Sequence, residues 1–255
     1  EEGLGLDVVS GGEIGIARSV DFPMDRVSFP ANNKSAEELI LALESGVGRI
    51  VVDNFHELKM LGKIARERRA KVNILLRLTP GVDPHTHRYT ITGNVDSKFG
   101  IPLVLGEEAV TTAMSMPELN VMGLHFHIGS QIAETEPYQQ AVEIILDFAA
   151  EMRQKHGIEF KELSVGGGYA VQYTLDCPVP PISAYAEAIT STIVSKCQKL
   201  GLEKPKLIIE PGRYIVAQAG VALYTVGVVK EIPGVRTYVS VDGGMGDNIR
   251  PALYQ

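Results

Sequence analysis

Glu210 and Arg213, in the run Lys206-Leu-Ile-Ile-Glu-Pro-Gly-Arg213, put a carboxylate and a guanidinium at the mouth of a short apolar segment. A carboxylate at a strand end can keep a heteroaromatic nitrogen protonated through a charge-assisted hydrogen bond. The arginine can seat a phosphate or a carboxylate with two parallel donors. The alternative is a Glu–Arg pair that merely closes the strand end. Gly166, Gly167 and Gly168 follow a second apolar segment, Leu163–Val165. Three residues without Cβ let backbone N–H groups converge on an anion, or make only a tight turn. A third segment, Val121–Gln131, carries His125 and His127 on one face of a strand. Three readings stay open there: a metal pair, packed core histidines, or a His127 ring lying flat against a planar cofactor. Gly129 and Ser130 alongside suit a phosphate oxygen better than a metal, which puts stacking first.

Other charged residues are less telling. Asp7 and Glu13 flank another strand-end turn, where each reads equally as a helix cap or a solvated acid. Lys34 and Lys98 sit in the polar stretches Asn32–Ser35 and Ser97–Gly100. Neither stretch offers the apolar pocket that would make a lysine nucleophilic, so no such role is assigned to them.

The elements that must position these groups follow a βα rhythm. Strands are expected at Leu6–Ser10, Arg26–Ala31, Arg49–Asp53, Val72–Leu78, Asn120–His127, Leu163–Val165 and Lys206–Glu210. A capping box, Ser35-Ala-Glu-Glu38, opens one helix and Asn54 caps another; further helices are expected at Glu107–Met116, Tyr138–His156 and Ser183–Leu200. Apolar strands joined by crossover helices predict a parallel sheet covered on both faces. Seven regular units, against the eight of a closed barrel, predict a (β/α)8 TIM barrel lacking its first βα unit. Thr79–Leu105 is long for a βα connection and reads as a lid. From Tyr214 the sequence reads as strand pairs, with Val221–Glu231 and Thr237–Asp242 joined at Pro233-Gly234. The predicted division is a barrel over residues 1–216 and the start of a C-terminal antiparallel β domain over 217–255.

Composition narrows the partners. A net charge of −7 with no basic stripe argues against nucleic acid. No apolar run reaches the roughly 20 residues of a membrane span. Cys177 and Cys197 have no metal or redox spacing and read as free thiols, as expected in the cytoplasm.

Taken in order, the motifs resemble the fold-type III pyridoxal-phosphate decarboxylases, whose barrel is of the alanine-racemase-like type. They are Asp7-Val-Val-Ser-Gly-Gly-Glu13, Asn33-Lys-Ser35, Thr86-His87 with Thr92-Gly93, Ser97-Lys-Phe-Gly-Ile101, His125–Gln131, Gly166–Gly168, Glu210–Arg213 and Arg250–Tyr254. The Gly-Ser-Gln, Ser-Lys-Phe-Gly and Arg-Pro-Ala-Leu-Tyr forms are most similar to the diaminopimelate branch. The resemblance implies decarboxylation of meso-2,6-diaminopimelate to L-lysine and CO2, with pyridoxal 5'-phosphate as cofactor. It places His127 on the pyridine ring and Glu210 on its nitrogen. Ser130, Gly166, Gly167, Gly168, Gly212 and Arg213 fall around the phosphate and ring, with Asp7, Glu13 and Arg77 in support. Arg213, Arg250 and Tyr254 meet the small-molecule amino-acid substrate. Alternatives are decarboxylation of another amino acid or a carrier-bound one and, remotely, a metal-dependent hydrolase using His125 and His127.

In that family the lysine that carries the cofactor stands in a Tyr-Ala-x-Lys-Ala-Asn motif on the first barrel strand, which would precede Glu1. A Cys-Glu-Ser-Gly-Asp motif and a late tyrosine would follow Gln255, and that cysteine reaches into the partner's site of a homodimer. The resemblance therefore implies the central part of a decarboxylase, with no catalytic residue of its own, inactive alone and homodimeric when full length.

Overall fold

The computed structural model describes residues 3–83 and 97–254; Thr86, His87, Thr92 and Gly93 lie outside the described residues. In chain order the elements are β1 (Leu6–Asp7), α1 (Gly11–Ser19), β2 (Val27–Phe29), α2 (Ala36–Ser45), β3 (Arg49–Val52), α3 (Phe55–Glu67), β4 (Val72–Thr79), β5 (Ile101–Pro102), α4 (Gly106–Met114), β6 (Leu119–His125), α5 (Glu136–His156), β7 (Glu162–Ser164), α6 (Ile182–Leu200), β8 (Lys206–Ile208), α7 (Gly212–Val216), β9 (Val226–Ile232), β10 (Arg236–Val241) and α8 (Arg250–Tyr254). Seven strands pair in parallel in the order β1-β2-β3-β4-β6-β7-β8, and the short β5 joins β4 from the side. β1 and β8 are the two edges, so the barrel is open along one seam.

The curl of this sheet creates the interior. Arg49 on β3 reaches Glu162 on β7 with two hydrogen bonds of 3.0 and 2.9 Å, although β4 and β6 lie between them. A bond across two intervening strands is possible only over the concave face of a sheet bent toward a barrel. The residues of alternate parity, Val51 and Asp53, Leu75 and Arg77, His125 and Ser164, share that face. Those of the other parity, including Ile50, Val52, Ile74, Leu76, Leu124 and Leu163, are buried against the helices and form the main core.

The helix starts follow their capping residues. Ser35 and Glu38 exchange side-chain and backbone bonds in a full capping box at α2, and Asn54 Oδ1 accepts the Glu57 N–H at α3. Two expectations fail locally. The first strand stops at Asp7, because Ser10 turns out of the sheet to cap α1, a helix hidden in the sequence by Gly11, Gly12 and Gly15. Glu13 accepts the Val9 N–H in that turn. The apolar run Tyr214–Val216 belongs to the single-turn α7 rather than a strand pair, since three apolar residues carry no readable period. Beyond it β9 and β10 form a separate antiparallel ribbon, turning at Pro233-Gly234 with Gly234 at φ +72° and bulged between Val239 and Val241. Among the described residues no helix is long and apolar enough to cross a membrane.

Candidate active site

The ends of β6, β7 and β8 meet at Glu210. His125 Nε2 lies 3.0 Å from Glu210 Oε1, and the Ser164 hydroxyl donates to the same oxygen at 2.7 Å. Among the described residues both bonds run to Oε1, which leaves Oε2 for a further donor. Burial alone would raise the carboxyl; His125 and the two hydrogen bonds outweigh it and hold Glu210 at about 2. Among the described residues the alternative reading, a closing pair between Glu210 and Arg213, is not seen. Arg213 instead donates to the Ser130 hydroxyl at 3.0 Å and to the Tyr173 hydroxyl at 3.1 Å, on the loops that follow β6 and β7.

His127 lies just past β6. Its Nδ1 accepts the Gly167 N–H at 3.2 Å, so the neutral ring carries its proton on Nε2. Desolvation, with Arg77 and His125 nearby, pulls the imidazole down to about 4 against the attraction of Glu210. The glycine trio has a tighter task than offering three amides to an anion. Gly166 donates to Ser164 Oγ and Gly167 to His127, so two of the three are committed within the protein. A Cβ on Gly167 would stand 2.0 Å from the Glu210 carbonyl, and one on Gly168 would stand 2.1 Å from the Gly129 carbonyl. The trio therefore lets three strand ends close on one another, with Gly166 and Gly168 at positive φ. The loops are tied further by Gln131, whose side chain both donates to and accepts from the Val171 backbone. Tyr138 beneath donates to the Gly167 carbonyl at 2.9 Å and stacks on Tyr169.

The ends of β2, β3 and β4 form the other wall. Lys34 overturns its sequence reading: it is 4% exposed, and its ammonium reaches the Ala31 and Val51 carbonyls and, at 2.7 Å, Glu57. Burial lowers Lys34 and raises Glu57, and each charge opposes the other's shift. With three acceptors around it the ammonium is a strut, not a nucleophile. Lys98 is exposed over the Phe99 ring. Arg77 pairs with Asp53 at 3.4 Å, lies over Phe99 and points its charge toward Glu210. Asp7 is pushed up to about 7 by desolvation and by Glu210, with Arg49 pulling it down. By accessible surface it is exposed at the free edge of the sheet, and water on that side limits the rise.

Arg250 and Tyr254 stand on α8, beyond the β9–β10 ribbon. Gly212 opens α7 directly after Glu210-Pro211. Among the described residues no group of three or more metal-ligating side chains converges. A mainly apolar hollow between α5, the start of β7 and the turn after α6 is lined by Ile145, Ala149, Phe160 and Leu202. The sequence reading missed Ser164, Tyr173, Asp53 and Tyr138, whose roles depend on contacts between distant segments. His125 and Glu210 were each singled out, but not as partners.

Residues 1–217 match the family model described as the pyridoxal binding domain of pyridoxal-dependent decarboxylases. The chain belongs to this family of pyridoxal-dependent decarboxylases. Among curated decarboxylases, the diaminopimelate decarboxylase of Halalkalibacterium halodurans is 47% identical over the whole chain and 58% of its own length. The chain thus spans less than two thirds of the relatives it matches. Among solved structures, diaminopimelate decarboxylase from M. jannaschii aligns with a TM-score of 0.88 at 37% identity, covering 98% of this chain and 57% of that one. The Helicobacter pylori enzyme complexed with L-lysine aligns equally well at 33% identity, over 98% of this chain and 60% of that one. The chain has their alanine-racemase-like barrel, here as a parallel sheet open along one seam, together with the separate ribbon.

Proposed function

We propose that this chain supplies the pyridoxal 5'-phosphate site of a diaminopimelate decarboxylase, which converts meso-2,6-diaminopimelate to L-lysine and CO2. The observation that carries it is the convergence at one barrel end of Glu210, His127 and the Ser130–Arg213 pair. These residues fit the cofactor chemically. Glu210 keeps an unengaged oxygen and stays ionised, as a partner for a pyridinium N–H must. His127 offers a neutral flat ring. Arg213 and Ser130 offer a charged fork and a hydroxyl to a phosphate, with Gly166, Gly167, Gly168 and Gly212 shaping the turns beside them. Bound there, the cofactor supplies an electron sink for the electron pair left when CO2 departs.

The chain's own residues then bind and orient. Glu210 maintains the positive charge of the ring nitrogen, Arg77 and Asp7 set the field around it, and Arg213 faces the anionic end. Arg250 and Tyr254 are assigned to the substrate, in keeping with a second carboxylate on the amino acid. The same proposal divides the chain into a barrel unit at 1–216 and a second unit at 217–255, and takes the active assembly to be a homodimer.

The test is turnover by protein containing this chain. Lysine and CO2 are expected from meso-2,6-diaminopimelate well above any turnover of ornithine or arginine; the reverse preference would move the protein to another branch. Borohydride treatment of the 255-residue chain with cofactor should leave no pyridoxyl group on Lys34 or Lys98, and its appearance on Lys34 would overturn the strut assignment.

A further inference from the structure

His125 is buried to 1% exposure, and its Nδ1 has no hydrogen-bond partner among the described residues. Glu210 is thus the ring's one polar anchor there, which is a sufficient reason to bury an imidazole at that position. Ser164 is 0% exposed, and its hydroxyl reaches the same oxygen as the ring. The strand register explains how two side chains from different strands converge. His125 pairs with Ser164 across β6 and β7, so both project from one layer of the concave face directly beneath Glu210.

We propose that His125 and Ser164 are positioning residues for Glu210: both grip Oε1 from the barrel interior, so that the carboxylate stays ionised and presents Oε2 to the ring nitrogen of the cofactor. The proposal rests on the reading of Glu210 as the partner of that nitrogen. The two-donor grip itself belongs to the protein alone. A carboxylate held by one oxygen can rotate only by breaking both bonds, so its other oxygen has a fixed direction. The remaining groups facing Glu210 do not duplicate this grip. Asp7 from β1 repels it, Arg77 from β4 and His127 attract it, and Tyr169 feels its charge from the loop after β7.

Carbon-13 NMR of glutamate carboxyls from pH 6 down to about pH 1.5 reads Glu210 without cofactor, its signal assigned by loss in Glu210→Gln. His125→Leu is expected to raise the titration midpoint by more than about one pH unit, since a charge-assisted bond is lost. Ser164→Ala should raise it less. His125→Gln, whose side-chain amide can place a donor where Nε2 stood, should restore most of the shift. An unchanged Glu210 titration in both His125→Leu and Ser164→Ala overturns the proposal; should the leucine variant fail to fold, Ser164→Ala decides alone. Pyridoxal 5'-phosphate titration gives the second reading. His125→Leu should weaken binding by about tenfold, roughly 1.4 kcal/mol, and by less than about twofold when Glu210→Gln is already present. Equal losses in both backgrounds would show that the histidine does not act through Glu210. Absence of binding by the parent chain would count against the cofactor site itself, while the carboxylate titration still decides the positioning role.

Discussion

The two walls of the barrel mouth carry similar numbers of ionisable side chains and use them in opposite ways. On the β2–β4 side, Lys34 meets Glu57 and Arg77 meets Asp53, all four buried and each holding the other in place. On the β6–β8 side, Glu210 keeps one oxygen unengaged, His127 is neutral, and Arg213 leans on hydroxyls rather than on a carboxylate. Charge at a strand end therefore does not by itself mark a site. What marks it is charge whose partners inside the protein are neutral or incomplete, because only such groups have capacity left for a ligand.

The largest expected effect lies on the wall of paired charges. Lys34→Met would leave Glu57 buried without its cation and should cost about 3–5 kcal/mol of stability, read from urea unfolding. Adding Glu57→Leu should recover part of that loss, since an uncompensated carboxylate is worse than an apolar pair. The recovery should remain incomplete, because the Ala31 and Val51 carbonyls also lose their donor. A cost below about 1 kcal/mol for Lys34→Met would break the contrast between the walls.

That wall is also where the sequence was least legible. Asn32–Ser35 reads as a polar loop because its residue types are those of a loop. Its lysine is buried only because α3 brings Glu57 back over it, a contact with no local signal. The strand order and the capped helices were legible, since apolar runs and caps are decided within a few residues. On the site wall, Glu210, His127, Ser130 and Arg213 could be picked out because each stands at a strand end in unusual company. The partners that set their behaviour could not: Ser164 ends a three-residue strand, and Tyr138 lies in the first turn of a helix that looks wholly apolar on that face. Helix α1 was concealed by its glycines, and the glycine trio reads equally as an anion nest or a tight turn, because the close approach of three backbones leaves no local signal.

A smaller effect, on the other wall, comes from the neutral ring. His127 has a folded pKa of about 4 against about 6.5 when unfolded. Above pH 6.5 the ring is neutral in both states and its contribution is complete; as pH falls toward 4 the unfolded chain takes up the proton first, and stability is lost. About 1–3 kcal/mol should disappear across that window, kept below the full shift because the ring is partly solvent-exposed. Asp7 works in the opposite sense over an overlapping range, since a raised carboxyl stabilises at low pH and ceases to as pH rises through about 7. The comparison is therefore His127→Gln against its parent, both carrying Asp7→Asn. Equal pH slopes in the two would place His127 with the paired charges of the opposite wall.

The smallest effect on stability, and the sharpest separation of fold from site, belongs to Arg213. Its guanidinium is half-buried and, among the described residues, bonded to two hydroxyls, so Arg213→Ala should change stability by about 0.5 kcal/mol or less. Binding of pyridoxal 5'-phosphate should nevertheless weaken by about tenfold, because the fork that would meet an anion is gone. Arg213→Lys should recover little of that affinity. A single ammonium restores the charge but cannot hold Ser130 and Tyr173 on separate nitrogens while facing a ligand. If lysine restored binding in full, the fork would have no directional role, and the loops after β6 and β7 would need no bridge from α7. If alanine instead cost as much stability as Lys34→Met, both walls would be structural, and the difference drawn between engaged and available charge would fail at the residue chosen to display it.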